Sequence, residues 1–328
     1  MKKLSGWQKV GLFAGIGCFS FVALLVVGFG IAVFYAKSTL ANLGDTTPTQ
    51  VARSVAIQAE APTAEAPLPG TKPSVATANE PMQLFVELQE GIFDIKPGEP
   101  NGRVQVEGRF SEALYELTQQ TETQNGRPRT TIRFRSKAPA WARMLAGIGN
   151  GNGNGDRPEL TLLIPPGVPI DLSLNVSMAE SRIDLGGLTL NDLGLDLSMG
   201  NHEVDFRQPV VDGITNLRLN TRMGRVSVEN LGNARAKSVD ASGSMGNLTA
   251  DLGGDWKPGS EAELSFTYSM GEVRVRVPNK VRLEADVRDS EGKAQNAGSD
   301  ADETKDPKAP FIKVRVSTSM GESRVTRY

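Results

Sequence analysis

The sequence predicts an all-β chain: a right-handed parallel β-solenoid, β-helix-like, of about six Met-Gly repeat units preceded by one transmembrane helix. Three observations carry this. A Met-Gly (once Met-Ala) signature returns at Met178, Met199-Gly200, Met223-Gly224, Met245-Gly246, Met270-Gly271 and Met320-Gly321. The first five Met residues are 21, 24, 22 and 25 residues apart, inside the interval that marks solenoids. Before each Met, apolar residues fall at alternate positions, as in Leu172/Leu174/Val176, Leu193/Leu195/Leu197 and Leu264/Phe266/Tyr268. That is the period of a strand with one buried face. After the signature the alternation resumes at Val226/Val228, Leu248/Ala250/Leu252 and Val273/Val275/Val277. In two copies a short insertion delays it, to Ile183/Leu185 and Val204/Phe206. Each unit thus reads strand, corner, strand, loop.

Glycine accepts positive φ and close backbone approach, which a sharp bend requires. Met is unbranched and polarisable and fills irregular core space, so the Met residues are expected as core, one above another inside the stack. A soft-metal site is the rival reading, since thioethers suit copper. Against it, the Met residues fall one per repeat, and the chain has a single histidine. On this basis Gly271→Val and Met270→Asp should each lower the melting temperature, and Arg274→Ala should not.

In chain order, 1–9 reads as a cytoplasmic tail and 10–36 as the transmembrane helix. The run 10–35 is apolar and uncharged. As a helix it spans ~39 Å, enough for a ~30 Å hydrocarbon core. A cleaved signal peptide would be shorter and end in small residues. A lipoprotein at Cys18 lacks the usual upstream Leu. Lys2, Lys3 and Lys9 precede the segment and Lys37 follows it. The positive-inside tendency then places the N-terminus in the cytoplasm and everything after Lys37 on the far side of the membrane. Gly11 and Gly15 form a GxxxG, a pattern common in membrane helices that also allows a homodimer. Residues 37–81, rich in Ala, Pro, Thr and Glu, cannot bury a core and read as a disordered linker.

Residues 82–158 form a β-rich cap or subdomain. Four or five strands are expected around Phe85–Leu88, Gly91–Ile95, Val104–Val106 and Thr131–Arg135, with turns at Pro97-Gly98 and Asn125-Gly126. The Met-Gly signature is absent there, and solenoid ends need atypical caps. A short helix is expected at 141–146, then a Gly/Asn loop. That loop has no Lys-Ser/Thr for a phosphate site and no calcium-binding nonapeptide pattern. The repeat domain runs 159–328, with a disordered insertion at 289–310 whose acids lack the spacing of a calcium loop.

The stretches 170–174 (IDLSL), 198–200 (SMG), 246–252 (GNLTADL) and 270–278 (MGEVRVRVP) resemble bacterial toast-rack and putative-adhesin β-strand-repeat families. The C-terminal domain of Lia-type envelope-stress membrane proteins shares this strand–Gly–strand–Pro ending. The resemblance covers a third to a half of the chain. It implies single-layered stacks of β-coils, often membrane-tethered, with no defined catalytic residues. This chain departs from the pattern in its corner Met, its long spacer and its late acidic insertion.

Composition excludes several function classes. There are 36 basic and 38 acidic side chains; without Lys2, Lys3 and Lys9 the balance is 33 to 38, or −5, with no basic footprint for nucleic acid. One cysteine gives no disulfide framework. Outward carboxylates at Asp184, Glu203, Asp205, Glu229, Asp251 and Glu272 could place two acids at glycosidase spacing, yet acids are expected on any solvated face. His202 has no partner at a recognisable spacing. The expectation is a non-enzyme with no cofactor or metal site: a membrane-anchored scaffold or envelope-stress component that binds an envelope protein. The alternative is an adhesive or structural surface module.

Overall fold

A computed structural model of the chain describes residues 48–56, 81–124, 127–139, 157–288 and 306–328. The predicted membrane helix, the helix at 141–146, the Gly/Asn loop, most of the linker and residues 289–305 lie outside these. Among the described residues, no helix is long and apolar enough to cross a membrane.

The described residues are all-β, built as one mixed sheet. In order the strands are β1 (Thr49–Ala56), β2 (Met82–Pro97), β3 (Arg103–Phe110), β4 (Tyr115–Gln124), β5 (Arg127–Ser136), β6 (Glu159–Ile164), β7 (Ile170–Asp184), β8 (Leu190–Asp205), β9 (Asn216–Glu229), β10 (Ser238–Asp251), β11 (Glu261–Val277), β12 (Arg282–Arg288) and β13 (Phe311–Arg327). One short helix, α1 (Leu231–Ala234), lies between β9 and β10. The neighbours β2, β7, β8, β9, β10, β11 and β13 pair in parallel, corner opposite corner.

These strands cannot be straight. Laid out flat, β7 would reach ~50 Å at ~3.3 Å per residue. The chain must return from Asp184 to Leu190 through residues 185–189, and six Cα steps cover at most ~21 Å. Each strand therefore folds into two arms at its Met. The inward residues of β7 show how. Ile170, Leu172, Leu174 and Val176 are buried, then Ala179, Ile183 and Leu185, so the parity of the buried set changes across Ser177-Met178. One extra residue at the corner turns both arms toward the same interior, as a β-bulge does. The backbone supplies it in two ways. Met178, Met199 and Met223 take φ of 52, 47 and 50°, whereas in the later corners Gly246, Gly271 and Gly321 take φ of 132, 122 and 140°.

The stack begins one strand earlier than the Met-Gly signature indicates. Strand β2 pairs with β7 so that Gln89 lies opposite Ser177 and Gly91 opposite Ala179. Glu90, with φ 56°, stands at the Met level. The two short strands expected around Phe85 and Ile92 are thus one bent strand. Beyond β2 the two arms are covered separately: its first arm by the β4–β5 hairpin, its second by β6, β3 and β1. Phe134 anchors this end, in edge contact with Phe93 and Phe110 and stacked on Tyr115.

Two expectations are corrected at the margins. Residues 49–56, read as linker, form β1, because Val51 packs on the core and every position of the strand pairs with β3. Residues 306–310, read as disordered insertion, form a turn. The Lys308 amide is held by Asp306 Oδ1 at 2.9 Å, and the Lys308 carbonyl accepts from the Gly259 amide at 2.8 Å. At the far end β13 inserts between β11 and β12, and β12 pairs only as far as Ser317.

Candidate functional surface

The corner residues come together as one line along the stack. Met245 lies directly opposite Met270, and Met270 opposite Met320. Met178, Met199 and Met223 continue the line, bracketed by paired neighbours on either side. Their side chains are not core, which corrects the expectation from sequence: all six are 38–58 % exposed. The parity change explains it. Two successive residues at the bend miss the interior, and the Met is the outer one. Met270→Asp is accordingly no longer expected to lower stability much.

The glycines face the stack instead. A Cβ added at Gly200 would run into the Ala179 carbonyl oxygen, and at Gly224, Gly246, Gly271 and Gly321 into the carbonyl oxygen of the glycine one strand before. The corner is tight because backbone stacks on backbone there.

Three positions after each Met lies an inward site of the second arm. It holds Val226, Leu248 and Val273 in three strands but Ser181, His202 and Ser323 in the other three. The delay read as an insertion is therefore a substitution: polar residues occupy a core site. Ser181 Oγ and His202 Nδ1 lie 2.8 Å apart, and both side chains are buried. Sequence reasoning left His202 without a partner because Ser181 sits one strand back, a pairing that only the register creates.

Burial lowers the His202 pKa, opposed in part by the Ser198 backbone. Its Nε2 is buried with no hydrogen-bond partner among the described residues. A Ser–His pair used for nucleophilic chemistry needs a third group that orients the imidazole on its far nitrogen. A stability effect follows instead. The unfolded histidine gains its proton near pH ~6.5 while the folded one resists it, so this contribution to stability is present above ~6.5 and lost as pH falls through the folded value. The melting temperature of the native chain should therefore drop between pH 7 and pH 5 more steeply than that of Ser181→Ala/His202→Val. Equal slopes would show that His202 takes up its proton in the fold as readily as in the unfolded chain.

The outward carboxylates are each engaged. Arg207 Nε bonds Asp205 at 3.1 Å and lies 3.7 Å from Asp184, and Asn230 Nδ2 donates to Asp205 at 2.8 Å. Asp251 accepts from the Tyr328 hydroxyl at 2.6 Å and pairs with Arg276 at 3.4 Å. Glu203 faces Arg182 at 3.9 Å, Glu272 pairs with Arg274, and Ser227 approaches Glu229 at 3.5 Å. Ser181 and His202 lie beneath an open groove of about 790 Å³ on the second arms, bordered by Asp94, Glu180, Arg182, Glu203, Arg225 and Glu229. Both signs of charge alternate along it. Among the described residues, no group of three His, Cys, Asp or Glu could hold a metal ion.

On the first arms the outer face is a polar ladder. Asn191 donates to Asp171 at 2.9 Å, Asn216 to Asp192 at 2.9 Å, Asn220 to Asp196 at 2.8 Å, and Ser242 to Asn220 at 2.8 Å. Short polar side chains on parallel strands ~4.8 Å apart reach their equivalents one strand away, which fixes them in place.

No protein-family model matches the chain, and no curated protein matches it. Among solved structures it is similar to a "putative cell adhesion protein" from Clostridium sporogenes ATCC 15579, at 12% identity and TM-score 0.37, over 86% of this chain and 100% of that one. It is also similar to a "putative adhesin" from Bacteroides fragilis NCTC 9343 and a "putative lipid binding protein" from Parabacteroides distasonis ATCC 8503. Each of these is 12% identical with TM-score 0.35, over 85% of this chain and 97% of the other.

Proposed function

We propose that this chain is a non-enzymatic β-solenoid of the bacterial cell envelope, anchored by a single helix at 10–36, that binds an envelope protein as a scaffold or stress-regulatory component. The observation that carries the reading is the first-arm ladder. Asp171, Asn191, Asp192, Asn216, Asp196, Asn220 and Ser242 are locked to one another across successive strands. An extended repeat face whose polar groups are already ordered loses little side-chain entropy on binding. The coil is right-handed in this reading, as crossovers between parallel strands are. The basic residues before the anchor put the N-terminus in the cytoplasm and the solenoid outside it.

The test is in-cell crosslinking of the full chain with identification by mass spectrometry, beside a version lacking 10–36. Reproducible links to another envelope protein, lost without the helix, are expected. Links only between copies of itself, or none, would overturn the scaffold and leave an adhesive or structural surface module.

A further inference from the structure

Of the nine Met residues in the chain, six stand in one line at the corners, and all six are exposed. Packing does not account for them, because each projects from the stack. The bend does not call for them either. A non-glycine residue held at positive φ is usually Asn or Asp, whose short side chains tolerate it. Here Met178, Met199 and Met223 accept φ of 47–52°, and the later corners keep Met where the following glycine makes the turn. A residue type repeated at six equivalent exposed positions, three of them against local backbone preference, is there for its side chain. What sets that side chain apart from leucine is sulfur.

The geometry points to a binding site for a soft monovalent cation, Cu(I) or Ag(I), formed by the thioethers of Met245, Met270 and Met320. Thioether sulfur is a soft ligand that carries no proton to lose, and it selects Cu(I) over harder ions. Parallel neighbours lie ~4.8 Å apart. Two sulfurs on one cation lie roughly 4–4.6 Å apart, given metal–sulfur bonds of about 2.3 Å. The ladder spacing matches this for each adjacent pair, Met245/Met270 and Met270/Met320, while Met245 and Met320, two strands and ~9.6 Å apart, reach a common cation only by leaning inward through their three torsions. Met245, Met270 and Met320 are direct Cα partners in two successive pairs.

The surroundings favour this end of the line. Ser244, Ser269 and Ser319 precede these Met residues and Gly246, Gly271 and Gly321 follow them, so nothing bulky shields the sulfurs. Glu272 and Glu322 stand two residues beyond Met270 and Met320, each paired with an arginine on its own strand. Arg222 and Arg225, by contrast, flank Met223 and repel a cation there. Strand β12 stops opposite Ser317, before the corner, and leaves Met320 the most exposed of the six.

The test uses the full chain in detergent with Cys18→Ser, so that the thiol does not compete. Ag(I) is titrated in chloride-free buffer, and Cu(I), kept reduced by ascorbate, is titrated against bicinchoninate. The expected result is about one equivalent bound, with a sulfur-only first shell in X-ray absorption. In Met245→Leu/Met270→Leu/Met320→Leu the affinity should fall at least tenfold with an unchanged melting temperature, while Met82→Leu, in the core, keeps it. If the triple variant melts early, Met320→Leu alone at the open edge should still weaken binding. Failure to compete with bicinchoninate, or undiminished binding in the leucine variants, would overturn the site. Leucine preserves an apolar ridge, so a line of Met serving only as a docking surface for protein would be indifferent to these changes.

Discussion

Gly271→Ala should destabilise the fold by about 3 kcal/mol, combining ~1–2 kcal/mol for an L-residue at its backbone angles with ~1–3 kcal/mol for overpacking. In thermal unfolding that is a drop of about 6–12 °C. Gly271 has φ 122°, and its added Cβ would fall inside the radius of the Gly246 carbonyl oxygen. That oxygen belongs to backbone stacked on both sides, so no side chain can swing away to make room. Gly271→Val should be worse still. Neighbouring Met270, 38 % exposed, is the contrast: Met270→Asp should stay within about 1 kcal/mol of the native chain, as most surface substitutions do. If Gly271→Ala melts with the native protein while Met270→Asp melts early, the corner has been assigned inside out.

Tyr268→Ala should cost about 3–5 kcal/mol, the usual range for deleting a buried aromatic ring. Tyr268 is buried on β11, and its hydroxyl reaches past β10 to meet Thr221 Oγ1 of β9 at 2.7 Å. It can do so because the residue between is Gly243, where a Cβ would collide with the tyrosine ring and with Thr221. Three strands thus share one space: a glycine leaves it, a tyrosine fills it and a threonine closes it. Gly243→Val should be severely destabilising alone and far less so beside Tyr268→Ala. The double-mutant cycle should show strong coupling of the rescuing sign. Additive losses would mean that the two positions do not share a cavity.

Tyr268→Phe isolates the hydroxyl at roughly 1–2 kcal/mol, since Thr221 keeps only a 3.5 Å contact with the Ser242 carbonyl. Burial pushes the Tyr268 pKa up to about 12. A folded value above the unfolded ~10 means that this contribution is full below pH ~10 and lost as pH rises toward 12. The phenylalanine variant should therefore lose less stability across that alkaline window.

Much of the fold is legible because a strand with one wet face writes its period into the chain. Leu193, Leu195 and Leu197 announce an arm, and Gly246 and Gly271 announce a corner. The first corner, at Glu90-Gly91, escapes notice because it carries no Met, although the parity of Leu84, Val86 and Leu88 against Phe93 and Ile95 changes there in the same way. That parity change, not the Met, is the general signal. Strand β1 escapes because a single edge strand needs only Val51 against the core, too little for a composition-based reading of 37–81 to register.

The sequence by itself determined the repeating unit: two apolar arms, a glycine at the bend and a loop back to the next arm, because burial and backbone freedom are properties of single residues. It could not determine which way the corner residue faces. Met is apolar and suits a core equally well, and only the one-residue slip in three dimensions turns it outward. Nor could it join Ser181 to His202, Tyr268 to Thr221 over Gly243, or Met245 to Met270 and Met320. Those contacts lie between strands 20 to 50 residues apart, and they exist because parallel stacking sets equivalent positions ~4.8 Å from one another. Register is a relation between strands, so the tertiary structure alone decides it.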